Sequence, residues 1–93
     1  RRERAKKRQE MSGEKKRLES EVARLERLIE DSETEKARII EALSSPSADA
    51  DFGTLRKNLS ALDAAIADAT ARWECTASEL EAFLEAYNAL REE

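Results

Sequence analysis

Twelve residues of the second half fall on an unbroken alternation of steps of three and four: Phe52, Leu55, Leu59, Leu62, Ile66, Ala69, Trp73, Thr76, Leu80, Phe83, Tyr87 and Leu90. Thr76 is the one clearly polar member. A helix of 3.6 residues per turn keeps positions spaced this way on a single narrow stripe, and a strand with its period of two does not. The stripe is too narrow for the core of a globular domain and has the width of a coiled-coil seam. Neither Gly nor Pro interrupts residues 54–93. The spacing predicts a helix over about 54–91, roughly 55 Å long at 1.5 Å per residue.

The first half repeats the alternation less purely. Met11, Lys15, Leu18, Val22, Leu25, Ile29, Ser32, Lys36, Ile39 and Leu43 share one stripe, with Lys15, Ser32 and Lys36 as polar interruptions. Polar residues at such positions set register at some cost in stability. A first helix is expected over 14–43. Gly13 costs about 1 kcal/mol relative to Ala inside a helix, so it marks either a weak point or a start, with Ser12 as a partial N-cap.

Ser, Pro, Asp and Gly cluster together only between these stripes, at 44–53. Pro46 disfavours helix at the residue before it, and Asp49 or Asp51 is a candidate cap for the second helix. A turn this short makes the two helices antiparallel neighbours. The expected fold class is all-α, a two-helix antiparallel coiled-coil hairpin (14–93) behind a basic lead-in or linker (1–13). Two registers remain open. If facing residue numbers total about 98, Leu25 meets Trp73 and Leu18 meets Leu80; if they total about 91, every layer shifts by one heptad and Leu18 meets Trp73. Either way the second helix runs past Leu18 and needs the segment around Met11 as cover.

Composition narrows the chemistry. The 93 residues contain 41% charged and 4% aromatic residues, a profile shared by long helices and by unfolded tails, and only the periodicity decides for helices. There is no His, which removes imidazole acid–base chemistry and imidazole metal ligation. One Cys allows no internal disulfide and no multi-thiolate metal site; a lone thiol is consistent with a reducing compartment. No apolar run approaches the roughly 18 residues of a membrane span, and no signal-peptide core appears. The chain opens at Arg1 in mid-stretch, so the expectation is a piece of a longer cytoplasmic protein. No catalytic site is expected in it: a two-helix hairpin offers no pocket to tune paired carboxylates, and no Gly-rich phosphate loop is present.

The formal net charge of −4 hides an asymmetry. Residues 1–17 hold nine Lys/Arg against three Glu (+6), while residues 18–93 hold eight Lys/Arg against eighteen Asp/Glu (−10). Arg1, Arg2, Arg4, Lys6, Lys7, Arg8, Lys15, Lys16 and Arg17 are therefore the candidate nucleic-acid-binding residues, since cations that neutralise phosphates gain affinity by counterion release. The competing reading of the same run is a solvated helix end or a linker. No aromatic side chain lies in it, so base stacking is not indicated. Trp73, Phe83 and Tyr87 read as packing residues on the seam, and Cys75 as an incidental exposed thiol. Glu79, Glu81, Glu85, Glu92 and Glu93 read as a solvated face.

Two stretches resemble a known family: Met11–Glu19 continuing through Val22 to Glu26, and Leu55–Leu62 leading to Arg72-Trp73-Glu74. Together with the turn Pro46 they resemble the C-terminal coiled-coil domain of ABC-F ATPases of the Uup type, over about residues 6–84. Cys75 and Thr76 depart from that pattern after the Trp-Glu, as does Gly13, which stands where an aromatic is usual. The resemblance implies a parent with two ATP-binding cassettes and no membrane domain, acting on ribosomes or related nucleic acids. ATP and Mg are expected only in that parent's ATPase domains, and no cofactor in this chain. The implied partners are nucleic acid (DNA or ribosomal RNA) and the rest of the parent ATPase, with no membrane contact and a monomeric isolated fragment. Two alternatives stand beside it. One is a protein-interaction or oligomerisation coiled coil with no nucleic-acid role. The other is a tRNA-binding arm of a synthetase-like enzyme, which would carry its cations along the hairpin rather than at its open end.

Overall fold

In the computed structural model, which describes residues 1–45 and 51–92, the chain forms two long helices, α1 (Arg2–Ser44) and α2 (Phe52–Glu92). They lie side by side as an antiparallel hairpin measuring 71 × 16 × 15 Å. The all-α hairpin expected from the periodicity is what forms. Pro46 and Asp49 lie outside the described residues, as does Glu93.

Every member of both predicted stripes is buried or half-buried. Leu18, Leu25, Ile39 and Ala69 form the most enclosed apolar part of the seam, with Ser32 as its buried polar member. Apolar side chains on a two-helix seam touch one facing helix and leave their flanks wet, which is why so few are completely enclosed.

The structure selects one register. Lys36 Nζ lies 2.8 Å from Asp63 Oδ1 across the seam, within one residue of the first expected register and a heptad away from the second. The hydrogen bond and charge of Asp63 raise the Lys36 pKa above its ordinary value. This polar seam residue thus meets a carboxylate on the partner helix instead of facing an apolar layer.

α1 starts at Arg2, not near Glu14, and runs through Gly13 without a break. No positive φ occurs among the described residues, so Gly13 serves no special backbone conformation. Ser12 caps nothing; its hydroxyl donates to the Gln9 carbonyl at 2.8 Å, the back-bond of a residue inside a helix. The reason is coverage: α2 continues to Glu92, and its last turns need helix from 2–13 to pack against. Tertiary burial outweighs the local cost of one Gly.

The turn end is capped as expected. Asp51 Oδ1 accepts from the Thr54 backbone N–H at 3.1 Å, and Oδ2 from the Thr54 hydroxyl at 2.7 Å. The Thr54 hydroxyl, then the Thr54 and Gly53 backbone N–H groups, hold the Asp51 carboxyl below its ordinary range. At the other side of the turn the Ser45 N–H closes α1 on the Glu41 carbonyl.

Candidate functional site

The nine candidate cations all lie on α1 or at its start, but they do not share a face. Arg8, Arg4 and Arg1 continue the heptad steps of Met11 toward the start of the chain, so they sit on the seam side. With Ala5 they line a cleft at the open end of the hairpin whose far wall is Leu90 and Arg91. Arg8 is half-buried, and its Nε is enclosed with no acceptor among the described residues. Lys15 is also a seam residue; its Nζ stands 5.2 Å from the centre of the Tyr87 ring, a cation–π contact. Tyr87 in turn stacks on Phe83 with ring centres 6.5 Å apart. The long stems of Arg8 and Lys15 thus cover the end of α2 while their charges reach outward.

Arg2, Lys6, Lys16 and Arg17 are exposed, and at 100° per residue they project from the side of α1 opposite the seam. Lys7 is exposed on the flank between. The outward side therefore presents exposed cations to a large partner, whereas on the seam side Arg8 and Lys15 are half-buried. The same outward side continues beyond the basic run with Arg24 and Arg27, both exposed. Reading charge by run length misses these two; reading it by heptad offset from the seam finds them.

Carboxylates are arranged to hold some of these guanidinium groups in place. Glu14 accepts from Arg17, and Glu21 from Arg24, each three residues earlier on the helix. The same spacing pairs Glu35 with Arg38. The arginine hydrogen bonds keep the Glu14 and Glu21 carboxyls below their usual range. These pairs are exposed, so they add little to stability and exchange readily for another anion.

Trp73 packs half-buried on the seam, with its Nε1 enclosed and unmatched among the described residues. Cys75 is an exposed free thiol. Glu79, Glu81 and Glu85 are exposed on α2. No group of three or more metal-ligating side chains occurs among the described residues. No helix of the described residues is long and apolar enough to cross a membrane.

The family model of the ABC transporter C-terminal domain matches residues 12–81. No curated protein and no solved structure matches.

Proposed function

Since the chain belongs to the ABC transporter C-terminal domain family, we propose that it is the accessory coiled coil of a Uup-type ABC-F ATPase and contacts nucleic acid, DNA or ribosomal RNA, through α1. The observation that carries this reading is the rigid display of the basic run. Nine Lys/Arg against three Glu within residues 1–17 would self-repel and fray as a tail. Here residues 2–17 form helix clamped against the end of α2, so their charges move as one body with the hairpin. A polyanion meets such a surface with little ordering cost. Recognition is of backbone and shape, because none of these side chains is set up to read base edges.

The test is binding of labelled duplex DNA, branched DNA and structured RNA, titrated in salt. Neutralising Arg1, Arg2, Arg4, Lys6, Lys7 and Arg8 together with glutamine should flatten the slope of log K against log salt, and the preferred ligand names the substrate. An unchanged slope removes the basic run as the contact. A concentration-dependent dimer in sedimentation, without nucleic-acid binding, would instead favour an oligomerisation coiled coil.

A further inference from the structure

The outward side of α1 reads, in heptad steps from Arg2, as Lys6, Gln9, Gly13, Lys16, Ser20, Ala23 and Arg27, with Arg17 and Arg24 beside it. All ten residues are exposed. No Asp or Glu stands on this line until Glu30, three residues beyond Arg27, although Glu3 and Glu10 lie in the flanking column that Arg17 and Arg24 share. The gaps between cations hold small or neutral residues, and a Cβ at Gly13 would meet nothing within 4 Å. From Gly13 to Arg27 the line and its flanking column carry no carboxylate, and over residues 2–27 their six cations outnumber Glu3 and Glu10.

The six cations are not evenly spread. They form three pairs, Arg2 with Lys6, Lys16 with Arg17, and Arg24 with Arg27. From the helical rise, the pair centres are separated by about 19 Å and then by about 14 Å, together about 32 Å. A turn of B-form DNA is about 34 Å. A straight rod lying along a duplex meets a phosphodiester strand at unequal intervals, the wide one across the major groove and the narrow one across the minor groove. The pair spacing has that form and that total.

We infer that the outward face of α1 is a three-rung phosphate ladder on which one turn of B-form duplex DNA lies parallel to the hairpin, with Arg24 and Arg27 as its third rung. This rests on the nucleic-acid reading above and deepens it: it names the ligand as duplex, the orientation as lengthwise, and two contact residues outside the basic run. The duplex is favoured over a single strand because the line carries no aromatic side chain on which bases could stack. Glu14 and Glu21 hold Arg17 and Arg24 on this face, and a phosphate takes the place of the carboxylate when the duplex docks.

The experiment compares the unaltered chain with Arg24→Gln/Arg27→Gln and with Arg56→Gln/Lys57→Gln, which removes the same charge from α2. Each protein is titrated with duplex DNA of about 8 and about 16 base pairs and with an RNA duplex, at several salt concentrations, with helicity checked by circular dichroism. Loss of two phosphate contacts should reduce the magnitude of the log–log slope by about 1.8 in the Arg24/Arg27 variant and leave the α2 variant near the parent. The 8-base-pair duplex, too short for three crossings, should show a slope reduced by a similar amount with the parent and no further reduction with the Arg24/Arg27 variant. Equal losses in both variants would reduce the effect to net charge and overturn the ladder. An unchanged slope in the Arg24/Arg27 variant overturns the third rung while leaving the basic-run reading intact. Tighter binding of the RNA duplex overturns the groove assignment. If Arg24 and Arg27 instead support a dimer in sedimentation, the face is a contact between copies and the ladder fails. If the unaltered chain binds no nucleic acid, both readings fall together.

Discussion

Leu25→Ala is the substitution that tests the seam most severely. Leu25 is 1% exposed, and the register marked by the Lys36–Asp63 pair puts it at the level of Trp73. Truncation removes three carbons from that layer, worth about 2.4 kcal/mol in transfer free energy alone at about 0.8 per carbon. A cavity term adds to this, but a seam one residue deep collapses more easily than a globular core. The expected loss is therefore about 2.5–3 kcal/mol, toward the low end of the range for buried leucines. A chain of this size has only about 5–14 kcal/mol to lose. Leu28, three residues on and 43% exposed, supplies the internal control: Leu28→Ala should change stability by less than about 0.5 kcal/mol. Urea unfolding followed by fluorescence reads both, because Trp73 is the one Trp of the chain and stands in the perturbed layer. Leu25→Ala should lower the midpoint by roughly 1–2 M and Leu28→Ala should barely move it. Equal shifts in the two variants would mean that these helices do not pair through this stripe, and the register, the ladder and the clamped basic helix would go with it.

Two further perturbations probe other parts of the hairpin. Gly13→Ala should stabilise the chain by about 1 kcal/mol, raising the melting midpoint by about 4–8 °C, because the position is ordinary helix with open space around it; a lower midpoint would show that helix does not persist through residue 13. Asp51→Ala should destabilise α2, and by an amount that depends on pH. The folded pKa of Asp51 is lowered, so the stability its ionised cap contributes is fully present above the ordinary Asp value of about 3.9 and is lost as pH falls through the lowered folded value. The gap between parent and variant in thermal melts should therefore narrow on acidification, and a gap that widens would remove the capping role.

The seam was legible from residue spacing because a two-helix hairpin has a single buried stripe per helix, and nothing else competes for the apolar residues. Leu18, Leu25, Ile39 and Ala69 are on the predicted stripes and are the most enclosed apolar side chains of the described residues. The start of α1 was not legible. Gly13 and Ser12 carry local signals for a helix start, and what overrides them is the length of α2, a property of the other end of the chain. Register was open for the same reason: repeating heptads offer nearly equivalent pairings, and the choice shows itself in the polar interruptions. Lys36 finds Asp63 and Lys15 finds the face of Tyr87, partners that spacing alone does not identify. The basic run was visible as charge, but its division between seam and outward side depends on helical phase continuing past Gly13. Once that phase is known, Arg1, Arg4 and Arg8 fall on the seam side, and Arg24 and Arg27 join the outward face.

The most direct measurement is a titration of the isotopically labelled chain with a duplex DNA of about 16 base pairs, followed residue by residue through backbone amide chemical shifts. Perturbations should concentrate on the outward side of α1 between Arg2 and Arg27 and weaken as salt is raised, with α2 beyond its last turns unchanged. Perturbations confined to α2, or none at low salt, would contradict it.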